Sequence, residues 1–296
     1  GCPWCPLGPS SPRWPDWRPG SAPPAHRVMD DPDLACEPLD RESLLRTHSA
    51  EVEAIRSAVE DDPPDGHHVL AHLRATNFSA EEARQRLAET RDWRLSSGIA
   101  EKLRDGAWRA AERALRPVLL YDFLGPDQHG RPILVERIGA WDVGAVIEAS
   151  EDIDRFKVLH AMADETLAKM PRPSGVKDPR GCVLIMDMEG LGLRHLRPRL
   201  ASVFGACNEI DQSFYPDSVA HIFVVNAPYI FSALFGMVKP FLNQDTLAKV
   251  HLSSEVPEEL PRSLGKDCLP VELLGTREGL FPYAETAEPS PHPEVE

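Results

Sequence analysis

Between Asp217 and Lys239 the chain runs for 21 residues without an Asp, Glu, Lys or Arg, long enough on that count alone to span a bilayer. The order of residues inside the run predicts something else. Ile222-Phe-Val-Val225 is β-branched and aromatic, Asn226-Ala-Pro228 interrupts it, and helix formers follow. The run therefore divides into a buried strand and a short helix. The helical piece, 229–238, is apolar around nearly its whole circumference, whereas a surface helix packed on one side shows a polar stripe. Two readings satisfy that pattern. One is a helix buried in a large core; the other is a lid with one face on a lipid cavity and the other on a membrane. By spacing, Phe231 and Phe235 share one face, while Ile230, Leu234 and Met237 share another.

The flanking sequence supplies a frame for this segment. Cys182-Val-Leu-Ile-Met186 is a second near-continuous apolar strand, and residues 152–170 and 196–210 have helical periodicity. Buried strands alternating with helices of this length imply βαβ crossovers and a largely parallel, covered sheet. Residues 118–123 and 132–136 flank a Gly125-Pro-Asp-Gln-His-Gly130 turn and predict a hairpin. Upstream, 49–98 is helical, with a break at Pro63-Pro-Asp-Gly66 and a capping box, Ser79 with Glu82, opening its third helix. The expected fold class is α/β: a mixed, largely parallel sheet flanked by helices, preceded by a small N-terminal helical cap. Residues 1–44 are expected to be a disordered or spurious leader with Met29 as the true start, since 1–28 hold eight prolines and no periodicity. The helical subdomain then spans 45–105, the main domain 106–276, and an acidic, Pro-rich tail 277–296.

Composition removes whole classes of function. Lys and Arg number 32 against 47 Asp and Glu, a formal charge of −15 that repels a phosphate backbone, so nucleic acid is not expected as a partner. Of the six cysteines, those within the apparent domain lie far apart, without the dense spacing of a secreted disulfide scaffold, and the N-terminus lacks an apolar signal core, which together point to the cytoplasm. Cys2-x-x-Cys5 has no second pair to complete a metal site. The best enzyme reading uses Asp187 and Glu189, two apart at a strand end, as a magnesium-holding pair in a phosphohydrolase. It lacks the following Thr, and Gly190-Leu-Gly192 has no Lys-Ser/Thr to cradle phosphate. His195 has no Gly-x-Ser-x-Gly partner and reads as a loop histidine. No catalysis, cofactor or metal is expected; a protein interaction module with a filled interior is the third reading.

Tyr215-Pro-Asp217, Phe223-Val-Val-Asn-Ala-Pro228, Lys239-Pro-Phe-Leu242 and Asp245-Thr246-x-x-Lys249 occur in order at characteristic spacing. With Ile185-Met-Asp-Met-Glu-Gly-Leu-Gly192, Leu70-x-x-Leu-Arg-Ala75, Trp93-Arg94 and Leu269-Pro-Val-Glu272, the chain over about 45–275 resembles the CRAL-TRIO lipid-binding domain. It is most similar to secretory-type phosphatidylinositol transfer proteins and their animal tocopherol-associated relatives. The resemblance implies one lipid in an apolar pocket, lined by Leu184, Met186, Ile222 and Val224 and closed by a mobile gate carrying Phe231, Leu234, Phe235 and Val238. It implies exchange at membranes through transient contact. It implies a headgroup site of Asp217, Thr246 and Lys249: carboxylate, hydroxyl and cation. The family's further basic residue falls on Thr76, which leaves Lys249 as the only cation placed by motif. Cys182 and Leu184 replace the hydroxyls that contact phosphatidylcholine in yeast-type relatives, so the implied ligand is a phosphoinositide or a tocopherol-like or isoprenoid lipid.

Overall fold

The computed structural model describes residues 41–57, 66–169 and 181–278. The Cys2/Cys5 pair, Met29 and the tail from residue 279 lie outside them. Five helices, α1 (Arg41–Thr47), α2 (Ser49–Ser57), α3 (Gly66–Ala75), α4 (Ala80–Ser97) and α5 (Ile99–Lys102), build the N-terminal part. Helix α1 straddles the expected boundary at 44/45. The Ser79 hydroxyl accepts the Glu82 N–H at 3.5 Å to start α4, and Gly98, in the left-handed region at φ +63°, stops it. Val52, Ile55, Val69, Leu73, Ala83 and Leu87 form a core of their own beneath these helices.

Helix α6 (Gly106–Leu119) begins at Asp105, whose carboxylate accepts the Ala107 and Trp108 N–H groups at 2.8 and 2.9 Å. It continues two residues beyond Pro117, so Val118 and Leu119 end a helix instead of opening the hairpin. The cause is a buried network. Arg116 pairs with Glu112 one turn earlier at 3.0 Å, and the Tyr121 hydroxyl donates to the same carboxylate at 2.7 Å. Leu120 then turns the chain at φ +44° into the first strand.

The sheet contains β1 (Tyr121–Pro126), β2 (Pro132–Glu136), β3 (Cys182–Asp187), β4 (Val219–Val225) and β5 (Val250–Leu252), hydrogen-bonded in chain order. β1 and β2 are antiparallel; every later pair is parallel. Consecutive parallel strands in spatial order, joined by right-handed crossovers, stack their connections on a single face. Those connections are α7 (Val143–Ala149) with α8 (Ile153–Lys169), then α9 (Pro198–Phe214), then α10 (Phe231–Val238) with α11 (Gln244–Ala248). Helix α9 is central, packing against α4, α7, α8 and α10.

Strand alternation gives the sheet two unlike faces. On one, Ile133, Val135, Val183, Ile185, Phe223 and Val225 pack against α12 (Glu259–Leu264) and Leu269 and Leu273 of the closing segment. On the crossover face the register aligns two rows, Leu134–Leu184–Ile222–Val250 and Glu136–Met186–Val224–Leu252. Leu134, Leu184 and Met186 in these rows are only half-buried. The helices above them do not close onto the sheet.

Candidate functional site

The gap between the two rows and the crossover helices is a cavity of about 1230 Å³, above the roughly 300–1,000 Å³ typical of small-molecule pockets. Leu184, Met186, Ile222 and Val224 form its floor. Phe231, Leu234, Phe235 and Val238 of α10 form one wall, with the rings of Phe231 and Phe235 stacked at 5.7 Å. Leu234 thus joins the phenylalanine face, and the expected separate face of Ile230, Leu234 and Met237 does not exist: residues at i, i+3, i+4 and i+7 form one stripe. The stripe turns inward because α10 is the crossover lying on the sheet. Ala233 and Gly236 point outward, and Tyr229 and Phe241, 52% and 43% exposed, flank the helix. No helix among the described residues is long and apolar enough to cross a membrane.

Both ends of α10 are held by identifiable contacts. At its entry Asn226, at φ +52°, donates from Nδ2 to Asp187 Oδ1 at 2.9 Å. At its exit the Phe241 carbonyl accepts from Gln212 Nε2 at 3.0 Å and from Asn208 Nδ2, both on α9. Asn243 then caps α11, accepting the Thr246 N–H at 2.7 Å. That cap sets Thr246 and Lys249 on the cavity lining together with Asp217.

Asp217 and Lys249 meet a further residue that the motif reading missed. Asp217, at φ +56°, receives Lys249 Nζ on Oδ1 at 3.2 Å and Arg74 Nη1 on Oδ2 at 3.2 Å. Arg74 leaves the last turn of α3, so the N-terminal helices contribute a cation to the cavity mouth. Thr76, the position expected to matter, is buried, and its hydroxyl donates into the His72 and Leu73 carbonyls at 2.9 and 3.1 Å. Arg74 stands in Leu73-Arg-Ala75, two residues before the position to which the resemblance gives the family's further base. Arg86 of α4 is exposed and lines the same mouth.

A second polar patch on the cavity wall was also unanticipated. Glu136 of β2, His160 and Asp164 of α8, and Cys207 and Asp211 of α9 all line the cavity. His160 Nε2 lies 2.7 Å from Asp211 Oδ1 and 3.6 Å from Asp164 Oδ2. Burial lifts the Glu136 carboxyl to about 7, and burial likewise lifts Asp164. Burial alone would lower His160, but Cys207, Asp211 and Asp164 beside it hold it well above its ordinary value. The residues are spread over one strand and two helices, with no local spacing to reveal them.

The remaining candidates sit elsewhere. Asp187 is 3% exposed, and Oδ1 accepts the Glu189 and Asn226 donors while Oδ2 faces Arg137. Glu189 points outward, its side chain 72% exposed. The first carboxylate fixes the β3–β4 strand ends, and the pair forms no metal cluster among the described residues. His195 is buried and accepts the Gly192 N–H on Nδ1 at 3.0 Å.

Comparison with known proteins agrees with this architecture. Residues 120–275 match the family model described as CRAL/TRIO domain. The chain is 29% identical over 211 residues to phosphatidylinositol/phosphatidylcholine transfer protein SFH7 of Arabidopsis thaliana, covering 68% of this chain and 38% of that protein. It is 26% identical over 212 residues to the Sec14 cytosolic factor of Schizosaccharomyces pombe, covering 70% and 73%. The chain thus spans well under half the length of the plant relative and most of the yeast one. The crystal structure of Sfh5 superposes with a TM-score of 0.60 at 14% identity, covering 90% of this chain and 96% of that one. With a hollow crossover face, a short apolar helix over it, and a family model matching more than half its length, the chain belongs to the CRAL/TRIO domain family.

Proposed function

We propose that this chain holds one amphiphilic lipid in the cavity, with α10 as the gate, and exchanges it during transient contact with a membrane. The observation that carries the reading is convergence. Residues separated by up to 175 positions, from Arg74 through Leu184 to Lys249, line one cavity. An apolar floor and gate suit acyl chains, and Arg74, Thr246 and Lys249 around the mouth suit a phosphate. Two cations there favour a phosphoinositide over a tocopherol-like or isoprenoid ligand, because an uncharged ligand leaves both cations held by Asp217 alone. The names of the plant and yeast relatives accord with phospholipid transfer. The outward surface of α10, with Tyr229 and Phe241 at its ends, is the face offered to the bilayer.

Native mass spectrometry of the purified protein after incubation with phosphatidylinositol vesicles tests the reading. One lipid per chain is expected. Arg74→Ala and Lys249→Ala should each lower phosphatidylinositol transfer between vesicles by about tenfold or more, the range for a lost charge-assisted hydrogen bond. An empty cavity, or transfer indifferent to both substitutions, overturns it.

A further inference from the structure

The connection from β3 to α9 turns one leucine outward while burying its neighbours. Leu191 and Leu196 pack into the same core cluster as Ala227 and Phe231 at the entry of α10, and His195 is buried. Leu193 between them is 77% exposed, the highest value for a large apolar side chain among the described residues. An isolated exposed leucine is ordinary on a soluble protein. This one is fixed in place. Residues 193–195 form a tight 3-10 turn, closed by the Gly192 N–H on His195 Nδ1 at 3.0 Å and by Arg194 Nη2 on the Gly139 carbonyl at 2.8 Å. Arginines flank it: Arg194 and Arg197 are exposed, and Arg199 donates to the Ser150 carbonyl. From 190 to 208 there are three arginines and no Asp or Glu; from 218 to 244, which holds β4 and α10, there is Lys239 and again no acid. In a chain with 47 acidic residues, the turn and the gate beside it are therefore both free of them. The preceding exposed carboxylate, Glu189, lies 4.0 Å from the Arg137 guanidinium.

We infer that the 192–197 turn is a second membrane-docking point, with Leu193 entering the bilayer interface and Arg194 and Arg197 resting on the phosphates of an anionic leaflet. This rests on the membrane contact proposed for α10 and deepens it. Strands β3 and β4 are parallel neighbours, so Leu193 and Tyr229, six and four residues past their ends, leave the same end of the sheet. Phe241 lies beyond the other end of α10. A contact on the neighbouring crossover restricts rolling of the protein about the α10 axis, which holds the gate toward the lipid. The net charge of −15 does not oppose this, because charges are screened beyond about 8 Å at physiological ionic strength and the leaflet meets the local arginines. An acidic peptide would use those arginines and gain nothing from Leu193, whereas a bilayer uses both.

The test is sedimentation of the intact chain with vesicles of phosphatidylcholine, with and without phosphatidylserine as the anionic component. The wild type should bind the anionic vesicles more tightly. Arg197→Glu, with Arg197→Gln as the milder variant should the reversal not fold, should weaken binding to anionic vesicles by about fivefold or more and leave binding to neutral ones unchanged. Leu193→Ser should weaken both by about tenfold. Val271→Ser, also at an exposed apolar side chain but on the closing segment that packs against the filled face, should change neither. A short-chain phosphatidylinositol delivered in solution, without vesicles, should load the wild type and every variant equally by native mass spectrometry. Equal loading with sedimentation indifferent to Leu193 and Arg197 overturns the docking point while the cavity reading stands. A loss in Arg197→Glu that is the same on neutral and anionic vesicles overturns it as well. A wild type that takes up no lipid overturns both.

Discussion

Asp217 takes a left-handed backbone conformation at the cavity mouth and holds two cations from opposite ends of the chain, Arg74 and Lys249. Motif register found the aspartate and the lysine because they lie within one stretch of the main domain. It gave the third partner to position 76, whereas the last turn of α3 sets Arg74 toward the mouth and Thr76 inward, its hydroxyl donating to the His72 and Leu73 carbonyls. Thr76→Arg should therefore not create a headgroup contact. It should destabilise the protein by about 1–3 kcal/mol through a buried charge and the lost hydroxyl hydrogen bonds, read as a lower urea midpoint. A Thr76→Arg protein of unchanged stability and faster phosphatidylinositol transfer contradicts that placement. His72, one turn before Thr76, is buried beside His68 and Arg86, and burial first, then those charges, lower it to about 3. The unfolded chain binds that proton near pH 6.5 and the folded one does not, so its contribution is intact above pH 6.5 and shrinks as pH falls toward 3. The slope is at most about 1.4 kcal/mol per pH unit. Between neutral pH and about pH 5 the wild type should lose more stability than His72→Leu; equal losses dismiss the effect.

At the scale of elements, the division of the uncharged run into β4 and α10 was legible, because Asn226-Ala-Pro228 ends a strand and permits a helix start. The cap at Ser79 was of the same kind, a local signal with a local partner. Which face of α10 turns inward was not legible, since that is set by the sheet it crosses. The end of α6 was misread for a related reason: Val118-Leu-Leu-Tyr-Asp-Phe123 has strand composition, and only the Glu112–Arg116–Tyr121 network keeps its first residues helical. Two pairs of substitutions on α10 separate its faces. Replacing Phe231 and Phe235 with Asp removes about 1.5–3 kcal/mol of apolar burial per ring from the cavity wall. Lipid occupancy should fall strongly while far-ultraviolet dichroism stays near that of the wild type. Replacing Ala233 and Met237 with Glu instead charges the outward face; occupancy should persist while vesicle-to-vesicle transfer slows about tenfold. An unfolded product of the first pair makes α10 core, and unimpaired transfer in the second removes the membrane from its outer face.

For the molecule as a whole, the N-terminal helices are a wall of the cavity and not an appendage. Trp93 stacks on Phe214 at 4.4 Å, Arg94 pairs with Glu165, and Leu44, Arg74, Ala75 and Phe78 line the interior. A chain restricted to residues 106–278 should bind an apolar fluorescent dye and retain no lipid, whereas the intact protein should do the reverse; lipid retained by the shorter chain refutes the joint cavity. This joint construction is also why the polar patch on the cavity wall escaped sequence reading, as its members come together only when α8, α9 and β2 assemble. The sheet, finally, separates a filled face, where Phe223 and Ile185 meet Leu260 and Leu269, from a hollow one. Heat tolerance and exchange rate consequently answer to different sets of residues. A lineage moving to a warmer habitat can tighten the filled face without touching the cavity, and one whose cavity takes a new occupant can reshape the hollow face without surrendering its durability.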